Sequence, residues 1–349
     1  MRIGGTELRY GVMLAPMAGY TDRAMRLICR EAGAEYTVTE MVSAKAVVYN
    51  DKKTFSLARI LADEGPVAVQ IFGSEPEVMA EAARVLSEPC PIGSAQDEEL
   101  VRTCAEYLKE GESVPISPVS PVAIDINMGC PVKKIFSNGE GSALMKSPRL
   151  IEKITSAVKG ATPLPVTVKL RAGIDGEHLN AIDCAKAAEA GGASLICIHG
   201  RTTKQMYGGT ADRKIIEKVK NSLQIPLIAN GDIVDGASAV SMLKDTGADG
   251  IAIGRGAVGN PFIFSEIEAA LEGKEHTPPT LGQRIHTALR QLSIAVIEKG
   301  EAVATAEARK QIALYIRSFR GASQIRAKIN LATTFSEVRE ALEQQLNIL

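Results

Sequence analysis

From Gly11 to Asn260 the chain alternates short, continuous apolar runs with longer stretches in which apolar residues recur every three or four positions. Runs of the first kind suit buried parallel strands, and stretches of the second kind suit the helices that cover them. Strands are predicted at 11–16, 36–40, 67–71, 122–127, 166–170, 195–199, 227–230 and 250–254. Between them fit a helix capped by Thr21 or Asp22 and reaching Ala32, a helical stretch through Leu61, and a helix opened by Pro76 and running to Leu86. Further helices fit at 147–159, 180–190, 213–222 and 235–246, with another after Asn260-Pro261. Strand and helix repeating in this way predict a (β/α)8 TIM barrel over residues 1–275, with a doubly wound parallel sheet as the alternative fold.

Two stretches depart from that alternation. Residues 87–121 carry Pro89, Pro91, Pro115, Pro118 and Pro121 around a helical pattern at Leu100, Val101, Cys104, Tyr107 and Leu108, where a short loop is expected. The segment is an insertion, a surface hairpin or helix. Beyond Pro278 the strand signal stops, and residues 278–349 form a small C-terminal all-α helical domain with ten Lys/Arg against six Asp/Glu. Within one predicted helix Ile312, Tyr315, Ile316 and Phe319 make an apolar stripe, with Lys310, Arg317 and Arg320 projecting from the other side. One face docks and the other is basic, the pattern of a surface for nucleic-acid phosphates.

The whole-chain balance, −1, identifies no partner. No signal-like leader opens the chain and no apolar run has membrane-spanning length, so a soluble cytoplasmic protein, not associated with membranes and monomeric, is expected. Cys29, Cys90, Cys104, Cys130, Cys184 and Cys197 include no C-x-x-C pair, which argues against a zinc site and against a disulfide framework, so no metal is expected.

In a barrel the C-terminal strand ends share one mouth, and here nearly every end is polar or glycine-rich. They are Pro16-Met17-Ala18-Gly19, Glu40, Gln70, Asn127 to Cys130, Lys169 with Arg171, His199 with Arg201, Asn230-Gly231-Asp232 and Gly254-Arg255-Gly256. Glycines after the last two strands let backbone N–H groups approach an anion that Arg255 can grip, which describes a phosphate site. Gln70, Lys169 and His199 add groups that flank a flat heteroaromatic ring such as a flavin, whose anionic reduced form a cationic Lys169 stabilises. Cys130 follows the strand Ala123–Asn127 in a Gly- and Pro-punctuated turn. As a lone cysteine it reads as a small buried hydrophobe, but in this company it reads as chemistry. With no histidine beside it, its thiol stays protonated at neutral pH and is an acid rather than a nucleophile.

These residues carry a resemblance to the tRNA-dihydrouridine synthases, flavoenzymes that reduce selected uridines in tRNA. The matching stretches are Ala15-Pro16-Met17-Ala18-Gly19 with Thr21-Asp22, Val69-Gln70-Ile71, Asp125-Ile126-Asn127-Met128-Gly129-Cys130-Pro131 and Gly141-Ser142-Ala143-Leu144-Met145. They continue with Val168-Lys169-Leu170-Arg171, Ile198-His199-Gly200-Arg201-Thr202, Ile228-Ala229-Asn230-Gly231-Asp232 and Gly254-Arg255-Gly256. The resemblance implies that Pro16, Met17, Ala18, Gln70, Lys169, His199, Asn230, Gly231, Asp232, Gly254 and Arg255 hold FMN. It implies reduction of FMN by NADPH, hydride transfer from flavin N5 to C6 of uracil, and protonation of C5 by Cys130. Asn127 and Arg171 would then orient the base. Lys133, Lys134, Lys310, Arg317, Arg320, Arg326 and Lys328 would hold phosphates of the tRNA.

Two features depart from the family's pattern. The 87–121 segment is longer than usual, and Ala172-Gly173-Ile174 stands where bacterial relatives often have an aromatic residue. Two rival readings are a flavin barrel of the dihydroorotate-dehydrogenase type acting on a small molecule and an RNA-binding protein that has lost catalysis. The basic tail disfavours the first, and the intact Cys130 with its flavin set disfavours the second.

Overall fold

The computed structural model describes residues 1–90, 98–109, 117–317 and 319–346. Its central sheet contains β1 (Val12–Leu14), β2 (Tyr36–Val38), β3 (Val67–Phe72), β4 (Ala123–Asn127), β5 (Val166–Arg171), β6 (Leu195–His199), β7 (Leu227–Asn230) and β8 (Gly250–Ile253). Each strand pairs in parallel with the next, and β8 returns to β1, so the sheet is a closed barrel rather than a doubly wound sheet. A two-residue strand, Val42–Ser43, adds to the upper end of β3.

Strand alternation sorts the side chains. Ile124, Ile126, Val166, Val168, Ile196 and Ile198 face outward into the core shared with the helices, whereas Met13, Tyr36, Ala68, Ala123, Leu195, Cys197 and Ile228 fill the barrel interior. Ile3 and Leu8, from an N-terminal hairpin of Arg2–Ile3 and Thr6–Glu7, join that interior cluster.

The covering helices are α1 (Arg23–Glu31), α2 (Pro76–Leu86), α3 (Pro148–Ala161), α4 (Ala181–Ala190), α5 (Arg213–Lys220), α6 (Gly236–Thr246) and α7 (Ile263–Leu271). Asp22 caps α1 by accepting from the Met25 N–H at 2.9 Å, and Pro76 and Pro148 occupy first turns where no N–H is needed. The predicted helical stretch through Leu61 is instead two short helices, Ala44–Val48 and Lys52–Ala58, then a 3-10 turn. Asn50 takes a left-handed backbone between them (φ 56°), and Asp51 caps the restart at Thr54.

The tail consists of α8 (Leu281–Lys299), α9 (Glu301–Ala308), α10 (Ala322–Leu331) and α11 (Phe335–Leu346). Its core is shared with the barrel. Ala24, Leu27 and Ile28 of α1 pack with Leu289, Leu292, Ile316 and Phe335, while Met25 and Cys29 face the barrel helices, so Ala24 to Cys29 are buried without a break. Cys104, the last residue of the helix Glu98–Cys104, and Tyr107 of the 3-10 turn that follows it belong to this second core. Pro91, Pro115 and the side chain of Leu100 lie outside the described residues.

The apolar stripe from Ile312 to Phe319 is not on one α-helix. Ile312–Leu314 is a 3-10 turn, and N–H groups of Leu314, Tyr315, Arg317 and Phe319 each reach back three residues. The cause is a close approach to the barrel: a Cβ added at Gly259 (φ 67°) would lie 2.5 Å from Leu314 Cβ and 2.9 Å from the Tyr315 nitrogen. Burial of Ile312, Tyr315 and Ile316 and exposure of Lys310, Arg317 and Arg320 survive the change of helix type. Among the described residues, no helix is long and apolar enough to cross a membrane.

Candidate active site

The inward-facing positions at the upper ends of β3 to β7 are Gln70, Asp125, Asn127, Thr167, Lys169, Arg171, His199 and Asn230. Register stacks them in layers: Gln70 beside Asp125 beside Thr167, Asn127 beside Lys169, and Arg171 and Asn230 each beside His199. A period of two along each strand therefore gathers side chains that are far apart in sequence around one mouth.

The turn carrying Cys130 is held from several sides. Asn127 Oδ1 accepts the N–H of Gly129 at 3.2 Å and of Cys130 at 2.9 Å. The Cys130 carbonyl accepts from the N–H and hydroxyl of Ser142, at 3.0 and 2.9 Å, and Arg171 Nε donates to the Gly129 carbonyl at 2.7 Å. Gly141 (φ 59°) permits this closeness, since a Cβ there would lie 2.8 Å from the Cys130 oxygen. Cys130 is half-buried, whereas the other five cysteines are buried. Burial pushes its thiol above the ordinary range, against the opposing pull of the Val132 N–H, Arg171 and Lys169, so it stays protonated at neutral pH.

Below the turn runs a hydrogen-bond relay of fixed polarity. Thr167 Oγ1 donates to Asp125 Oδ1 at 2.5 Å, Gln70 Nε2 donates to Asp125 Oδ2 at 2.6 Å, and Asn127 Nδ2 donates to Gln70 Oε1 at 2.8 Å. Because an ionised carboxylate only accepts, Asp125 fixes the orientation of the Gln70 amide, which fixes that of Asn127, which leaves Oδ1 to cap the cysteine turn. Burial raises Asp125 to about 6. Sequence reasoning gave Asp125 no role, although its place two residues before Asn127 on a strand puts it on the same inward face.

On the opposite wall, Lys169 Nζ donates to Asn230 Oδ1 at 3.1 Å, and Asn230 Nδ2 to the Ala252 carbonyl at 2.7 Å. His199 is pulled down to about 2 by burial and by Lys169, Arg171, Arg201 and Arg255, so the imidazole is neutral. Arg201, buried, ties Asp232 (2.7 Å) to the carbonyls of Gly208 and Gly209. The Asp232 carboxylate is thus engaged by Arg201, with Arg255 at 3.7 Å, and only its backbone remains to face an anion. Arg255 is exposed and its guanidinium lies 5.2 Å from the centre of the Tyr207 ring, an exposed aromatic that sequence reasoning passed over.

Four cations surround one neutral imidazole, against Asp232 and Glu40 at the rim and Asp125 one layer below, so positive groups outnumber carboxylates. Among the described residues, the backbone N–H groups of Gly254 and Arg255 make no turn or loop hydrogen bond to another backbone carbonyl. Gly231 holds φ 127°, and a Cβ there would lie 2.6 Å from that of Ala211. This donor set fits the phosphate and anionic ring of a flavin mononucleotide. Pro16 and Met17 are half-buried beside it, with Met17 Sδ 3.6 Å from where a Gly254 Cβ would be, and Ala18 is exposed.

The positions expected to meet RNA are more dispersed. Lys133 and Lys134 are exposed just beyond the cysteine turn, and Lys310, Arg317, Arg320 and Lys328 are exposed on the tail. Arg326 is half-buried, and Lys328 Nζ donates to Gln344 at 2.6 Å.

A model of the dihydrouridine synthase family matches residues 13–91 and 116–348, passing over most of the inserted segment. A protein named tRNA-dihydrouridine synthase B from Proteus vulgaris is 37% identical over 348 residues, covering 98% of this chain and 97% of that one. Its namesake from Pseudomonas putida is 36% identical over 358 residues, covering 99% and 97%. A protein from Rickettsia conorii, named probable tRNA-dihydrouridine synthase, is 36% identical over 346 residues, covering 99% and 96%. Among solved structures, an old yellow enzyme homologue from Zymomonas mobilis overlaps with a TM-score of 0.49 and 15% identity, over 81% of this chain and 94% of that one.

Proposed function

This chain belongs to the dihydrouridine synthase family, and from that premise we propose that it reduces the C5=C6 bond of particular uridines in tRNA, with FMN as cofactor and NADPH as reductant. The observation that carries the reading is a protonated thiol on a rigid turn at the rim of a cation-rich barrel mouth. FMN, when bound and reduced, would supply the hydride for C6. Cys130 gives its proton to C5, and the thiolate left behind is reprotonated from solvent, which the half-buried side chain can meet.

Each remaining residue serves binding or placement. Lys169, Gln70 and His199 would line the ring; the backbone of Gly231 and Asp232 with Gly254 and Arg255 would hold the phosphate end, and Asn230, its amide engaged by Lys169 and the Ala252 carbonyl, would serve by placing Lys169; Pro16, Met17 and Ala18 would close the near side. Asn127 and Arg171 act on the uracil through the turn they pin, because Asn127 has both amide atoms engaged and Arg171 also donates to the Thr202 and Met206 carbonyls. The target uridine leaves its stack to reach the mouth, with Lys133, Lys134 and the tail's Lys310, Arg317, Arg320, Arg326 and Lys328 on the surrounding phosphates. In this reading the enzyme works in the cytoplasm as a monomer.

The test is dihydrouridine mapping by mass spectrometry in RNA from a strain deleted for the gene. Loss at defined tRNA positions, restored by the intact gene, is the expected result. Restoration of nothing in tRNA, with a small-molecule pyrimidine pool altered instead, would overturn it.

A further inference from the structure

Outside the barrel mouth, a cavity of about 240 Å³ lies where the loop after β8 meets the tail. Gly259 and Asn260 form one side, Pro279 and Phe319 the others, and Arg284 of α8 and Arg317 both line it. The seam exists because Gly259 lets the Leu314–Tyr315 backbone lie directly against the barrel loop.

The charge in this cavity is unmatched. Arg284 has one weak partner, Asn260 Oδ1 at 3.5 Å, and its guanidinium lies 5.6 Å from the centre of the Phe262 ring. Among the described residues, no carboxylate pairs with Arg284 or Arg317, and the lining contains no acid. Burial and the facing Arg317 together lower the proton affinity of Arg284. Two guanidinium groups turned on one cavity repel each other until an anion sits between them, and their planar forks suit the oxygens of a phosphate.

Size and position narrow the ligand. A cavity of about 240 Å³ holds a phosphate and part of a ribose, but it lies below the roughly 300–1,000 Å³ that enclose a drug-sized or dinucleotide ligand. Tyr315, Phe319 and Pro279 offer apolar walls for a sugar or base edge. Gly259 follows shortly after Arg255 in the loop that leaves the last barrel strand, so the seam lies at the same end of the barrel as the mouth.

We propose that Arg284 and Arg317 form a phosphodiester site that grips the backbone of the RNA substrate at the junction of barrel and tail. The assignment rests on the tRNA reading given above and adds a residue, Arg284, that neither the motifs nor the basic tail face singled out.

The experiment uses full-length R284Q, R317Q and the double variant, an unmodified tRNA transcript, and fluorescence anisotropy in rising KCl. Each single variant is expected to weaken binding about five- to tenfold and to lower the slope of log Kd against log salt by about one. The double variant should be no more than about twofold worse than the weaker single, because both residues hold one phosphate. Melting temperature should not fall in either single variant, since each removes one of two like charges. Unchanged tRNA affinity and salt slope in all three variants overturns the site. Unchanged tRNA affinity with a raised KM for NADPH also overturns it, by giving the cavity to the reductant's phosphate. Wild-type protein that neither binds nor reduces the transcript instead removes the tRNA reading, and the site falls with it.

Discussion

Asp125 offers the sharpest separation of placement from contact, because it sits one layer below the mouth, only 5% exposed, and is linked to the cysteine turn only through amides. Asp125→Ala leaves Gln70 Nε2 and Thr167 Oγ1, both buried, without an acceptor, at about 1–3 kcal/mol each. It also frees the Gln70 amide to rotate, which loosens the cap on Gly129 and Cys130. A misplacement of about 1 Å at the reacting group is worth on the order of 10²-fold, so kcat for dihydrouridine formation should fall roughly 10- to 100-fold with the KM for tRNA nearly unchanged. Asp125→Asn should restore most of it: its oxygen still accepts from Gln70, and its amide can donate to the Thr167 hydroxyl, which rotates to accept.

The same pair of variants has a pH signature in stability. Burial holds Asp125 at about 6 against an ordinary 3.8, so the ionised form is disfavoured by folding; the group's favourable contribution is complete below about pH 4 and is lost as pH rises through 6. That rise corresponds to roughly 3 kcal/mol. The Asn variant titrates nothing there, so its urea stability relative to wild type, both without added flavin, should improve by roughly this amount between about pH 4 and 7.5. Wild-type kcat in Asp125→Ala, or an Asn variant no better than the Ala variant, would refute the relay.

Three further outcomes follow from the geometry. Cys130→Ala should keep its flavin absorbance and lose uridine reduction by about 10²- to 10⁴-fold in a mass-spectrometric turnover assay; normal turnover would remove the thiol from the acid role. Because Cys130 alone is half-buried and its thiol is raised by burial, iodoacetamide should label the folded protein slowly at neutral pH and faster only in alkali. Rapid labelling near pH 7 would mean an activated thiolate. Gly259→Ala forces a side chain onto Leu314 from a left-handed backbone, so a loss of about 2–4 kcal/mol and earlier proteolytic release of the tail are expected, and an unchanged melting curve and digest would show that the seam yields.

The barrel was legible because its strands are short apolar runs ended by glycine, proline or polar residues, and parallel strands buried on both faces take that form. The mouth was legible for the same reason: polar residues at strand ends have only one place to go. Asp125 escaped because its chemistry lies in what it orients, although counting back two from Asn127 would have placed it inside the barrel. The Ile312–Phe319 stretch misled because spacings of three and four serve a 3-10 turn as well as an α-helix, and contact with Gly259 decided between them. Arg284 gave no signal at all, being one arginine in an amphipathic helix until the fold set Arg317 opposite it.

The reaction itself is the first thing to measure: incubate the purified protein with FMN, NADPH and an unmodified tRNA transcript, then digest and map the RNA by mass spectrometry. Two added hydrogens are expected at a small number of defined uridines, with none from Cys130→Ala and none on free uridine under the same conditions. A transcript left unchanged by wild-type protein, or free uridine reduced as readily as tRNA, would contradict it.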